Sequence, residues 1–163
     1  MEIERKWLLR RMPTVKPDAE YWMEQFYVSF DPEIRLRRIN MKGVVETFPS
    51  YIMTLKGNGD LSRVEEETEV SEGFYLTALD LANCEPLQKN YLIYEVDGHK
   101  IEVNVVLGKE SFVYAEVEFG TEDEARDYNF PWPELVEREV TYDPNYKMKV
   151  RWREMQTKLV ELD

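Results

Sequence analysis

Cysteine and histidine each occur once in this chain, as Cys84 and His99. A lone cysteine excludes an internal disulfide and a thiolate zinc site, and Cys84 is assigned no role. A lone histidine leaves a histidine metal cluster or a Ser-His-Asp triad little to draw on. No apolar run approaches the roughly 18 residues of a membrane-spanning helix. The N-terminus, Met1-Glu2-Ile3-Glu4, lacks the basic-then-apolar segment of a secretory signal, so a cytoplasmic location without membrane contact is expected. Positive charge is also scarce. Against 33 Asp and Glu stand 21 Lys and Arg, a net charge of −12. A nucleic-acid partner needs a basic footprint, and this balance argues against one. A polyanion can be handled only if basic residues gather in one place and metal neutralises acidic ones. The 163 residues suit a single domain, 1–163, with enough chain for a core.

What the chain does have is charge laid out with a period of two. Glu2, Glu4 and Lys6 share one face of a strand, and Ile3, Arg5 and Trp7 share the other. Two carboxylates so close repel unless a cation sits between them or one is protonated. A hard divalent cation with oxygen ligands suits them, and Lys6 beside it suits an anion such as phosphate. The pattern recurs. Arg35 and Arg37 share a face in Glu33–Asn40, Thr54 and Lys56 in Tyr51–Lys56, and Arg63, Glu65 and Glu67 in Arg63–Val70. Glu102 and Asn104 do so in Lys100–Leu107, and Glu116 and Glu118 in Ser111–Phe119.

Further elements follow from composition. Tyr21–Phe30 is aromatic-rich and suits a strand, and its rings are expected in the core or at a dimer interface. Residues 40–50 read as a hairpin connection around Gly43. Ser71 caps a helix ending near Asn83, and Thr121 with Glu124 forms a capping box. Tyr91–Glu95 and Glu137–Thr141 read as strands. Asp143-Pro144 starts a helix running through Tyr146, Val150 and Met155. The four tryptophans are expected to pack outside the sheet or under helices.

In a half-buried antiparallel sheet the charged face ordinarily meets water. The runs here, Glu-x-Glu, Arg-x-Arg and Arg-x-Glu-x-Glu, carry almost no Ser, Gln or Asn between the charges. Closing the sheet would instead turn these faces into a lumen, with carboxylates for metal and Arg/Lys for phosphate oxygens. The pattern favours the lumen over the solvated face.

At this point the chain resembles a known family. Met-Glu-Ile-Glu-Arg-Lys-Trp-Leu resembles the Glu-x-Glu-x-Lys opening of the CYTH superfamily, the triphosphate tunnel metalloenzymes. Gln25-Phe-Tyr27-Val, Arg35-Leu-Arg37, Thr54-Leu-Lys56-Gly57 with Arg63-x-Glu65-x-Glu67, and Ala115-Glu116-Val-Glu118-Phe are similar to its further segments, in order and over nearly the whole chain. The resemblance implies an α+β fold, mainly antiparallel, with an eight-stranded closed tunnel, flanking helices and a C-terminal helix. It implies Mg²⁺ or Mn²⁺ held by Glu2, Glu4, Glu116 and Glu118, with Glu65, Glu67 and Glu102 in support. Lys6, Arg35, Arg37, Lys56 and Arg63 would grip the phosphates and act in catalysis, and Lys147 would contribute from the end of the tunnel. A homodimer is expected by the same analogy.

The chain also departs from the family pattern. Gln88-Lys89-Asn90-Tyr91 aligns with Lys-x-Arg-Tyr, so two basic positions read as amides, and Lys89 is expected on the face opposite to them. Asn104 replaces a carboxylate, Glu137 stands where Gly is common, and Asn145 where a base often sits. The leading expectation is hydrolysis of the terminal phosphate of inorganic triphosphate or a nucleoside triphosphate. A non-catalytic binder of a nucleotide or phosphorylated small molecule, motivated by those amides, and a class IV adenylyl cyclase are the alternatives.

Overall fold

The computed structural model describes residues 1–43 and 48–162, with side chains through Thr157. The expected hairpin connection at 40–50 lies partly outside the described residues. Among the described residues, ten strands form one antiparallel sheet: β1 (Glu2–Leu9), β2 (Ala19–Ser29), β3 (Glu33–Met41), β4 (Ser50–Lys56), β5 (Ser62–Arg63), β6 (Glu65–Glu69), β7 (Leu87–Val96), β8 (His99–Val106), β9 (Phe112–Glu118) and β10 (Val136–Glu139). The helices are α1 (Glu72–Ala82), α2 (Glu122–Asp127) and α3 (Met148–Leu162).

The neighbour order is β10-β1-β9-β8-β7-β2-β3-β4-β6, and β5 pairs with β1. Strands β5 and β6 are one extended segment interrupted at Val64. Its later part pairs with β4, Thr54 opposite Glu67. Its earlier part pairs with β1, Glu2 opposite Arg63. Counting that segment once, the ring closes with the expected eight strands. Strand β10 lies outside it, against the second half of β1, Trp7 opposite Glu139. Closure removes the exposed edges that an open sheet would carry.

The apolar residues of the alternating strands face outward, where two layers cover them. Trp7, Leu92, Tyr94, Ile101, Val103 and Val117 pack with Ala125 of α2 and with Leu135. On another side Phe26, Leu36 and Tyr51 lie under Tyr75 of α1. Each such fully buried side chain stabilises the fold by about 1.5–3 kcal/mol. Helix α1 begins where expected, Ser71 accepting from the Phe74 N–H, and ends at Asn83 in the left-handed conformation.

Helix α3 does not cover a flank. With Met148 and Trp152 it packs on Tyr27, Leu87, Val106 and Tyr114, which come from β2, β7, β8 and β9 at one end of the barrel. It thus plugs one end of the tunnel. The helix expected from Asp143 is broken. Pro144–Tyr146 is a 3₁₀ turn capped by Asp143, Lys147 is extended, and α3 starts at Met148. The reason is tertiary. Lys6 Nζ donates to the Tyr146 carbonyl at 3.1 Å and Lys147 Nζ donates to the Gly59 carbonyl at 2.9 Å. Both contacts draw the backbone across the barrel end before the helix can begin.

Candidate active site

Because side chains alternate along each strand, the polar set from every strand of the ring shares one interior. It encloses a cavity of about 480 Å³, lined by Glu2, Glu4, Arg35, Arg37, Lys56, Glu65, Glu67, Glu102, Glu116 and Glu118 of the expected set. The closed lumen, not the solvated face, is therefore the arrangement adopted. Lys6, Arg63 and Lys147 line a smaller space toward the plugged end, which shares Glu4 with the first. All thirteen expected site residues thus lie in the tunnel or at its closed end.

The carboxylates are concentrated on one arc of the ring. Strands β6, β1, β9 and β8 bring the seven expected carboxylates, with Lys6 and Lys100 among them, whereas β3, β4 and β7 bring only cations to the main cavity, Arg35, Arg37, Lys56 and Lys89. Most of these cations are matched. Lys56 reaches Glu2 and Glu65, each at 3.0 Å, and Arg63 reaches Glu2 at 3.4 Å. Lys6 lies 3.6 Å from Glu116. Arg35 donates to the Thr54 hydroxyl, which donates to Glu67.

Two cations are not matched. Among the described residues, neither Arg37 nor Lys89 has a carboxylate at ion-pair distance. Arg37 donates to the Gln25 side-chain oxygen at 2.7 Å, and Gln25 in turn donates to the Tyr27 hydroxyl. Lys89 donates to the Tyr114 hydroxyl at 2.8 Å and is 3% exposed. Burial, then the positive charge of Arg37, hold the Lys89 pKa well below its ordinary value. Burial and Arg35 lower that of Arg37. A buried, uncompensated cation is costly, and an anionic ligand relieves that cost.

On the acidic arc, Glu4 stands opposite Glu118 and Lys6 opposite Glu116 in the β1–β9 register. Burial, then the neighbouring Glu116, hold the Glu4 pKa well above the carboxylate range. Burial alone would raise Glu116 too, but Lys6 and a hydrogen bond from Glu4 outweigh it and keep Glu116 ionised. Of the pair, Glu4 is the carboxyl that takes up a proton more readily. Burial also raises Glu2 and Glu118.

The seven carboxylates do not converge on one point. Among the described residues, no three acidic, cysteine or histidine side chains are gathered to chelate an ion as they stand. Lys56 and Arg63 occupy Glu2 and Glu65, the Thr54–Arg35 pair engages Glu67, and Lys100 lies 3.2 Å from Glu102. The Glu4–Glu116 pair nevertheless fits a hard divalent cation, because a metal can relieve its repulsion in place of a proton. Beside it, Asn104 is fully buried with a side-chain oxygen that accepts no hydrogen bond, a further oxygen donor.

Some of this was not visible in the alternation of charges. Lys89, Tyr91 and Ile93 are the residues of β7 that face the tunnel, whereas Gln88 is exposed on the outside and Asn90 shares its face. The two amides therefore do not deplete the tunnel, and Lys89 supplies its own cation there. The register decides this: Lys89 pairs with Met23, which also faces in. Of the departures, Asn104 alone is a tunnel substitution; Glu137 and Asn145 are exposed. Tyr21 and Tyr27, expected in core or interface, belong to the inward face of β2, while Trp22 and Phe26 belong to the outer one.

Fold and site together define a closed antiparallel tunnel with a charged interior that suits a polyanion. No protein-family model matches the chain. Two curated proteins do, both named inorganic triphosphatase. The protein from Nitrosomonas europaea is 31% identical over 150 residues, 91% of this chain and 94% of that protein. The protein from Acetivibrio thermocellus is 30% identical over 150 residues, 89% of this chain and 88% of that one. A solved inorganic triphosphatase, NE1496, superposes with a TM-score of 0.61 at 27% identity, covering 93% of this chain and 94% of that chain. The chain belongs to the CYTH superfamily of triphosphate tunnel proteins.

Proposed function

We propose that this protein hydrolyses the terminal phosphoanhydride of a triphosphate, inorganic or nucleoside-linked, with Mg²⁺ or Mn²⁺. The observation that carries the reading is the pair of buried, unmatched cations, Arg37 and Lys89, facing the interior of a tunnel that also holds Arg35 and Lys56. The names of the two curated relatives support it. A triphosphate lying along the cationic arc would offer its oxygens to Arg37 and Lys89 as acceptors in place of Gln25 and Tyr114. The guanidinium of Arg35 would add bidentate contacts. Because the pocket is walled and its donors preset, charge developing in transfer meets fixed partners without reorganisation. A divalent cation at Glu4, Glu116 and Asn104 would supply the positive charge that offsets triphosphate against the acidic arc. Water then attacks the terminal phosphorus, the bridging P–O bond breaks, and the diphosphate product leaves.

The test is incubation with Mg²⁺ or Mn²⁺ and either tripolyphosphate or a nucleoside triphosphate. Metal-dependent orthophosphate, with pyrophosphate or nucleoside diphosphate as co-product, is expected. Pyrophosphate together with a cyclic nucleotide would replace the reading with the cyclase. Binding with no product from either would replace it with the non-catalytic binder.

A further inference from the structure

The floor of the tunnel is a tyrosine. Tyr114 precedes Glu116 and Glu118 on β9 by steps of two, so it shares their inward face. It pairs with Leu8 on β1 and with Asn104 on β8. Its side chain is fully buried and packs with Tyr27, Leu87 and Val106 and with Met148 of the plug. Tyr114 therefore lies between the cavity and α3.

A tyrosine so enclosed is ordinarily a core residue whose hydroxyl has found one partner. The contacts of Tyr114 go beyond that role. Lys89 Nζ donates to the hydroxyl at 2.8 Å and lies 5.4 Å from the ring centroid. Lys6 Nζ lies 5.1 Å from the same centroid. Lys89 comes from β7 and Lys6 from β1, on different arcs of the wall. One ring thus seats an ammonium from each, because an aromatic face attracts cations. The hydroxyl also has capacity to spare. A phenol both accepts and donates, with one proton to give. At Tyr114 the oxygen accepts from Lys89, and among the described residues that is its only hydrogen bond. Glu116, two residues on, is engaged instead by Lys6 at 3.6 Å and by Asn104 at 3.5 Å. The phenol proton is left without an acceptor inside a closed interior.

An anionic oxygen that takes the hydrogen bond of Lys89 comes to rest beside the hydroxyl it displaces. It then lies within reach of the phenol proton, and a charged acceptor makes that bond stronger than a neutral one would. Only the deepest phosphate of a triphosphate can reach this point, because α3 stops the interior behind Tyr114. We propose, resting on the triphosphatase reading, that Tyr114 is a further phosphate-binding residue, whose ring seats Lys6 and Lys89 and whose hydroxyl donates to the deepest phosphate of the substrate. Its contribution is direct and does not run through Lys89 alone.

The experiment measures tripolyphosphate binding to metal-free protein by calorimetry, in wild type, Tyr114→Phe, Lys89→Met and the double variant, with thermal melting on the same samples. Tyr114→Phe keeps the ring and its packing and removes only the hydroxyl. It should weaken binding about tenfold, as the loss of one hydrogen bond to a charged group does. In the Lys89→Met background the same substitution should again weaken binding about tenfold, because the hydroxyl still meets the phosphate. No further loss in that background would show that the hydroxyl acts only through Lys89 and would overturn the proposal. Unchanged affinity in Tyr114→Phe itself would overturn it too. Tyr114→Leu removes ring and hydroxyl together and should bind more weakly than Tyr114→Phe. It carries the same comparison if the phenylalanine variant melts without a cooperative transition. A leucine variant no weaker than the phenylalanine one would overturn the seating of the two ammoniums. If no triphosphate yields orthophosphate with metal present, the hydrolase reading fails by itself, and the binding comparison still decides Tyr114. Wild-type protein that does not bind tripolyphosphate overturns both.

Discussion

The two arcs of the tunnel wall solve opposite electrostatic problems. The acidic arc, from β6 through β1 and β9 to β8, gathers seven carboxylates and settles them internally. Lys56, Arg63, Lys6 and Lys100 neutralise some, and burial beside Glu116 raises the Glu4 pKa so that the pair avoids two full charges more readily than free carboxylates would. The cationic arc leaves Arg37 and Lys89 with neutral partners only, Gln25 and Tyr114. The difference teaches where ligands of each sign belong. A settled carboxylate pair can take a metal in place of a proton, whereas an unsettled buried cation has nothing to give up and gains directly from an anion.

The largest expected effect tests the acidic arc. Glu4→Gln should leave stability nearly unchanged, because burial beside Glu116 already favours the neutral carboxyl, yet lower metal-dependent turnover by about a hundredfold or more. Glu118→Gln should lower turnover in the same direction. Thermal melting and orthophosphate release on the same samples separate the two quantities. Unchanged turnover would remove these carboxylates from the site and with them the contrast between the arcs.

Next, Lys89→Met removes a buried amine whose charged form has no carboxylate at ion-pair distance among the described residues, while keeping volume. Ligand-free protein should gain about 1 kcal/mol, or roughly 2–4 °C in Tm for a chain of this size. The KM for triphosphate should rise, because the anion loses a partner. A variant that loses both stability and affinity would show that Lys89 is matched by something other than ligand.

The pH dependence of that gain has a definite sign. The folded Lys89 pKa lies well below the unfolded lysine value of 10.5. Between the two, the unfolded chain binds more protons, so wild-type stability rises with pH across that window and is lost as pH falls through the folded value. Urea unfolding of wild type and Lys89→Met should therefore converge as pH approaches 10.5 and diverge below it. An anion beside Lys89 favours its charged form, so the proton uptake that accompanies tripolyphosphate binding to metal-free protein should be smaller in Lys89→Met, as calorimetry in buffers of different ionisation heat would read.

The smallest effect is expected at the closed end. Lys147 lies 3.5 Å from the half-exposed Asp60. Asp60→Asn should change stability by no more than about 1 kcal/mol. Turnover should stay close to wild type, since the plug is held chiefly by Met148 and Trp152 packing on Tyr27 and Tyr114. A large loss of turnover would make the latch part of the catalytic wall. No helix among the described residues is long and apolar enough to cross a membrane.

Much of this protein was legible in one dimension. The period of two in Glu2-x-Glu4-x-Lys6, Arg35-x-Arg37 and Glu116-x-Glu118 determined which side chains share a face, because a strand offers only two. Ser71, Asn83 and Thr121 marked helix ends through local hydrogen bonds that depend on few neighbours. Register and closure were decided elsewhere. Nothing local told whether Lys89 or Gln88 faced the lumen, since a one-residue slip exchanges the two faces of a strand. The pairing of Met23 with Lys89 resolved it. The break at Lys147 likewise came from Lys6 and Gly59, more than eighty residues away in sequence. The sequence alone determined the kinds of charge and their faces, because both are local. Only the tertiary structure decided which charges meet and which stay unmatched, because that depends on which strands become neighbours when the ring closes.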